Sequence, residues 1–318
     1  MRIDPALQEY SCDRTTIAEV QGRIGSAKSR WLARADVARV LAECRAFAGR
    51  ASLADCIMLS SLMAHDAALE TVSGWLAEMM SGWRENPLAH MPFRHSLSGG
   101  VGAIELHRVG PVTLSVLVID PAGITPAQAI AFTDCERHEV VLAGRGRAFV
   151  YSFAEDGPPS GRPLDLCPAA RFCGNSNHSR AIVELDEPLV LLRLAREPEH
   201  PAPTRQVEIA TGQIIHRASA SPAEGRAELA AGLLGAMGRT DAAPALARYA
   251  CGQAGEGARW QALRNALALD TRMGFAALCQ IADDVSDPIA ADAAALRHSL
   301  CTSYPQLANL REDLCLAN

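Results

Sequence analysis

Three short stretches hold side chains whose types and spacing could bind a phosphate, attack a carbonyl or ligate a metal. "GRIGSAKS" (22–29) departs at one position from the phosphate loop G-x4-G-K-[ST], with Ala27 where the second glycine belongs. Lys28 is the only lysine among 30 basic residues, so a phosphate loop or a lysine Schiff base would have to use it. Such a loop follows a strand and opens a helix, whereas residues 31–83 read as helices alone. "GNSNHS" (174–179) has His178 where a nucleophile elbow needs glycine, and Ser176 stands too close to His178 along one strand to pair with it. "HMPFRH" (His90, His95) and His107 group three imidazoles, but a loop spacing of five residues fixes no ligand geometry. Arg145 and Arg147 in "GRGRAF" offer two guanidiniums to an anion, although a solvated turn needs no ligand.

The elements that must position these groups fall into three textures. Between Trp31 and Trp83 the period is helical: Val37, Val40, Leu41 and Cys44 recur at helix spacing, as do Leu69, Val72, Leu76 and Met79. Ser52 is placed to cap "LADCIMLSSLM". From about Leu88 to Arg217, short apolar runs alternate with Gly, Pro and Asp. Strands are predicted at 102–107, 112–119, 129–132, 138–143, 147–153, 181–185, 189–194, 206–209 and 213–216. "HEVVLAGRGRAF" (138–149) reads there as a β-hairpin. No helical pattern alternates with the strands, which excludes a parallel α/β sheet and suits a sandwich, jelly roll or barrel. After Ser221 the helical period returns. "MGRTDAAPALARYA" with "RWQALRNALALD" is followed by "MGFAALCQIADDVSD" with "PIAADAAALRHSL". These read as two units of paired short helices that must stack to bury their apolar faces.

The fold class expected is therefore α+β: an N-terminal helical region (1–88), an antiparallel β-barrel or jelly roll (89–219) and a C-terminal helical region (220–318). Limited proteolysis should cut first at 84–100 and 198–205, where "EPEHPAPT" concentrates proline and charge. A resistant core running through both stretches would overturn those boundaries.

A formal charge of −6 and a pI near 5.9 argue against a nucleic-acid surface. The abundance of Ala, Arg and Gly suggests GC-rich codons and a bacterial origin. The first 30 residues hold no continuous apolar segment, and runs such as "LSVLVI" are too short to span a bilayer. A soluble cytoplasmic protein, free of membrane, is expected. Its ten cysteines, with no C-x-x-C pair, read as small buried hydrophobes rather than a disulfide framework.

The central region resembles the cupins, whose first motif is G-x5-H-x-H-x3-4-E-x6-G. Glu139 and Gly146 match its E-x6-G half. Thr133 and Cys135, or Phe132 and Asp134, stand where the two histidines belong, and His178 lies near the place of the late histidine. The resemblance implies a ligand pocket around Glu139, His178, Cys135 and Asp134. It favours no metal; the alternative is Fe or Zn on Glu139 and His178 with Asp134 or Cys135. "GRTDAAPALARYA" and "RWQALRNALALD", with Pro244, Arg259 and Arg264, resemble HEAT-repeat hairpins and imply protein contacts or a brace for the β-region.

The reading is a non-catalytic sensing or interaction protein that holds a small molecule or a partner protein; a homodimer stays open. The alternative is a metal-dependent cupin enzyme of dioxygenase or isomerase type with unusual ligands. A purely structural assembly protein is a third.

Overall fold

The computed structural model describes residues 14–85, 89–199, 201–219 and 221–307. The chain divides into two compact units, residues 1–201 with 206–215, and residues 202–205 with 216–318.

The first unit opens with α1 (Arg14–Ala33), α2 (Ala35–Ala48), α3 (Ile57–Leu62) and α4 (His65–Glu85). Ser52 caps a single 3-10 turn ahead of α3, in a reciprocal capping box with Asp55. The stripe of α2 is buried as its spacing predicts. On α4 the buried face is Ala68, Val72, Trp75 and Met79, whereas Leu69 and Leu76 are exposed. Trp75 displaces them because its larger ring, with Trp31, closes edge-to-face on Phe93.

"GRIGSAKS" lies inside α1, so its backbone amides are spent on helix bonds and cannot cradle a phosphate. Ala27 is fully buried. Lys28 donates to the carbonyl of Pro92 at 2.8 Å and covers the Phe93 ring.

Twelve strands follow: β1 (Arg94–Ser98), β2 (Val101–Val109), β3 (Val112–Ile119), β4 (Ala129–Phe132), β5 (Glu136–Ala143), β6 (Gly146–Ser152), β7 (Ser160–Leu166), β8 (Arg171–Gly174), β9 (His178–Leu185), β10 (Leu189–Arg196), β11 (Thr204–Glu208) and β12 (Ile214–Ala218). They form a six-stranded sheet β1-β2-β3-β10-β5-β8 and two three-stranded sheets, β7-β6-β9 and β12-β11-β4. Strand pairing in the six-stranded and β7-β6-β9 sheets is antiparallel. Among the described residues the ladders do not close into a single barrel, so the architecture is a packed set of sheets.

One face of the large sheet (Leu114, Val116, Val140, Leu142, Leu192, Leu194) joins the core of α1–α4. The other face (Leu117, Ile119, Val141, Leu189, Leu191) packs on Ala148, Leu166 and Leu185 of the β7-β6-β9 sheet. Residues two apart on β5 and β10 therefore share a side.

"HEVVLAGRGRAF" is not a hairpin. Strands β5 and β6 belong to different sheets, and Gly144–Arg145 carries the chain across. Gly144 has φ +99°, and a Cβ there would lie 2.7 Å from the Cα of Leu189. A Cβ at Gly146 would fall on the carbonyl oxygen of Glu184. Two backbones pass too closely here for any residue but glycine.

The second unit contains α5 (Pro222–Ala236), α6 (Ala243–Ala250), α7 (Glu256–Leu269), α8 (Thr271–Asp283) and α9 (Ala290–Ser303). Its core is built from Leu246, Ala250, Leu263, Phe275, Leu278 and Ile281. Arg259 is 5% exposed: Nε donates to the Ala250 carbonyl at 2.7 Å and the two Nη atoms grip Asp287. This hydrogen-bonded pairing holds the Asp287 carboxyl below the usual aspartate range. Arg259→Ala should therefore lower stability by about 3 kcal/mol, because Asp287 and a buried carbonyl lose their donor. A loss below about 1 kcal/mol in urea titration would show that the pair carries no such weight.

Among the described residues, no helix is long and apolar enough to cross a membrane. Eight free cysteines are described there, of which Cys44, Cys56, Cys135 and Cys279 are buried while Cys167 and Cys173 are exposed. Burial pushes the Cys44 thiol up to about 12, which leaves it inert as a nucleophile at neutral pH.

Candidate functional site

Glu139 sits in the middle of β5, opposite Arg193 of β10 in the same sheet. Both project to the face that meets the β7-β6-β9 sheet, from which Arg180 of β9 reaches across. Arg180 donates to one carboxylate oxygen of Glu139 through Nε at 3.1 Å and Nη2 at 2.7 Å. Arg193 donates to the other oxygen through Nε at 2.6 Å. The Glu139 side chain is only 3% exposed and that of Arg180 7%. Burial alone would hold Glu139 protonated, but Arg180 and Arg193 outweigh it and keep its carboxyl below the usual glutamate range. The carboxylate is an electrostatic tie between two sheets, and its lone pairs are committed to guanidinium N–H groups.

Arg137, two residues before Glu139, is half-buried on the same face. Its Nη2 donates to the His178 carbonyl at 3.4 Å, while its buried Nε has no hydrogen-bond partner among the described residues. Nη1 of Arg180 is likewise buried and without a hydrogen-bond partner. Burial, followed by the charges of Arg193 and Arg180, lowers the pKa of Arg137.

The other residues expected around Glu139 are dispersed. Asp134 lines a cleft of about 760 Å³ with Ala48, Arg50, Glu136, Arg196 and Glu199. There Arg196 donates to Glu136 at 2.9 Å, and to the carbonyls of Phe47 and Ala51 at the end of α2. Cys135 is buried, which raises its thiol pKa. His178 opens β9 and its Nδ1 lies 2.8 Å from Oδ1 of Asn175. Among the described residues no three His, Cys, Asp or Glu side chains converge as a metal site. The alternative ligand set of Glu139 and His178 with Asp134 or Cys135 is not assembled, because the two arginines have taken the carboxylate. The donor set does not fit Fe or Zn.

The histidines of "HMPFRH" have local roles: Nδ1 of His95 lies 3.0 Å from the Phe93 carbonyl, and the backbone N–H of His90 donates to Gln21. His107 is turned inward, and burial lowers its pKa. Arg147 pairs with Glu184 at the surface, so the "GRGRAF" turn holds no free guanidinium at that position.

Arg180 and Arg193, the residues that define the site, escaped the sequence reading. The available signal was an arginine at an inward position of each apolar strand, in "SRAIVEL" and "LVLLRLAR".

No family model matches the chain, and no curated protein matches it. Solved structures give low-level likenesses. CapF, the capsular polysaccharide assembling protein of Staphylococcus aureus, is 15% identical over 40% of this chain and 33% of its own, with TM-score 0.27. HutD of Pseudomonas fluorescens SBW25 is 17% identical over 34% of this chain and 58% of its own, with TM-score 0.25. A variant of the oxalate decarboxylase of B. subtilis is 16% identical over 34% of this chain and 28% of its own, with TM-score 0.26. These likenesses assign no family. The chain spans a third of the CapF chain and little more than half of HutD.

Proposed function

We propose that the β-region is a cupin-like domain that binds a small molecule between its sheets without a resident metal, and that the protein senses or relays rather than catalyses. The C-terminal helices, read as HEAT-like hairpins, would present the outcome to a partner protein. The observation that supports this reading is the Glu139 carboxylate. Its place in the E-x6-G motif is that of a metal ligand, yet both oxygens are bound by Arg180 and Arg193. A carboxylate so engaged cannot coordinate a cation without losing two ion pairs, one of them buried on both sides.

Protein purified without an affinity tag should contain well under one transition metal per chain by elemental analysis. Glu139→Gln should lower thermal stability equally with and without added Fe or Zn, since only metal-linked folding would separate the two conditions. Stoichiometric metal that vanishes in both Glu139→Gln and His178→Ala would overturn the reading in favour of a metal-dependent enzyme.

A further inference from the structure

On the face of β5 turned away from Glu139, a thiol, an imidazole and a carboxylate stand in line. Glu136 and His138 share the side on which Val140 and Leu142 enter the helical core. His138 pairs across the ladder with Cys173 of the edge strand β8. Sγ of Cys173 lies 3.5 Å from Nδ1 of His138, and Nε2 of His138 lies 3.0 Å from Oε1 of Glu136. The second oxygen of Glu136 accepts from Arg196, which is itself anchored on the carbonyls of Phe47 and Ala51.

Partial burial would raise the Glu136 carboxyl, but its bonds to His138 and Arg196 outweigh that and hold it below the usual glutamate range. An ionised carboxylate only accepts hydrogen bonds, so the proton of the neutral imidazole sits on Nε2. The lone pair of Nδ1 then faces the Cys173 sulfur and can take its proton. The imidazolium so formed lies between a thiolate and a carboxylate, and both stabilise it. Cys173 is also exposed, whereas burial raises the thiols of Cys44 and Cys135. Cys167 is exposed as well, but no imidazole is bonded to it among the described residues.

We propose that Cys173 is a thiol–disulfide exchange centre, where a small organic disulfide leaves one of its halves on the protein. The Cys173 thiol gives its proton to Nδ1 of His138, and the thiolate attacks one sulfur of the disulfide. The old sulfur–sulfur bond breaks as the new one forms, and the departing thiolate takes the proton from Nδ1. The protein thiol is oxidised to a mixed disulfide, and the departing half of the small disulfide is reduced to a thiol. Exchange needs only a sulfur nucleophile and a proton for the departing thiolate, and both are in place. Acyl transfer would need an oxyanion hole as well. Glu136 also stands in the wall of the 760 Å³ cleft, so the array borders a space that can receive the transferred half. None of these residues takes part in the Glu139 site, and the inference is independent of the reading above.

The test follows the reaction of dithiodipyridine with the full chain, using peptide mass mapping to tell the cysteines apart. In the unmutated protein Cys173 should react about tenfold or more faster than Cys167, and the difference should vanish in urea. His138→Gln should slow Cys173 by about tenfold and leave Cys167 unchanged. Glu136 acts through the imidazole as a positioning residue, so its signature is the tautomer. In Cys173→Ser the ring nitrogen shifts of neutral His138 should report the Nε2–H form, and adding Glu136→Gln should mix the two forms. Should His138→Gln fail to fold, the ratio of the two rates in folded and urea-unfolded protein decides. Equal rates at Cys173 and Cys167 in the folded protein, a Cys173 rate unchanged in His138→Gln, or an Nδ1–H ring in Cys173→Ser would each overturn the site.

Discussion

Leu263→Asp should unfold the C-terminal helical unit. Leu263 is fully buried on α7, in a core shared with Leu246, Phe275, Leu278 and Ile281. An aspartate there has no cation among those neighbours and also leaves a cavity. The cost is about 4 kcal/mol or more, a large part of the stability of a small folded unit. The neighbouring Arg264 is exposed, and Arg264→Ala should change stability by about 0.5 kcal/mol or less. Helical circular dichroism during urea titration reads both. Equal, negligible losses would sink the assignment of this face as core.

Glu139→Gln should be the most damaging conservative change in the β-region. It leaves the buried Arg180 guanidinium and the part-exposed Arg193 facing one another without their carboxylate, at a cost of about 3 kcal/mol. Replacing Glu139, Arg180 and Arg193 together with apolar residues of similar volume should cost less, since of this group only the half-buried Arg137 then keeps a charge. The pH dependence has a definite sign. Glu139 is held below the usual glutamate range, so its contribution is complete above the unfolded-state value of about 4.3 and is lost as pH falls through the lower folded value. The stability gap between the natural protein and Glu139→Gln should stay constant from neutral pH to about 5 and narrow below that. A gap that widens on acidification would show that Glu139 is not an ion-paired carboxylate.

Much of the secondary structure is written locally. Val112–Ile119 and Ala129–Phe132 are strands with the limits their apolar runs predict, and the helices from Ala243 to Ser303 fall on the segments their period marks. Strands β1, β7 and β8 leave weaker traces. Every residue of β1 is exposed, β7 contains Gly161 and Pro163 and buries only Leu166, and β8 is four residues long. Alternation reports burial on one face, so β1 and β7, with little burial, give little signal, while β8 alternates but has only Phe172 and Cys173 as apolar residues. The site was legible only in part. Glu139 stood out, but its partners Arg180 and Arg193 lie 41 and 54 residues away, and only the pairing of sheets brings them to it. The expected hairpin failed for the same reason: "GRG" specifies a tight passage of the chain, not which strand lies beside it.

The passage at Gly144–Arg145 bears on the order in which the protein can assemble. Because β6 leaves for another sheet, β5 pairs first with β8, and its other edge must wait for β10, whose Arg193 comes 54 residues after Glu139. Strand β10 then enters between β3 and β5, so one of the last strands to leave the ribosome becomes the middle of the largest sheet. Until it arrives, β3 and β5 each present an apolar strand with an open edge, the kind of surface that recruits neighbouring nascent chains. Folding is therefore expected to be slow for the protein's size and demanding of chaperones, with β10 as the closing piece.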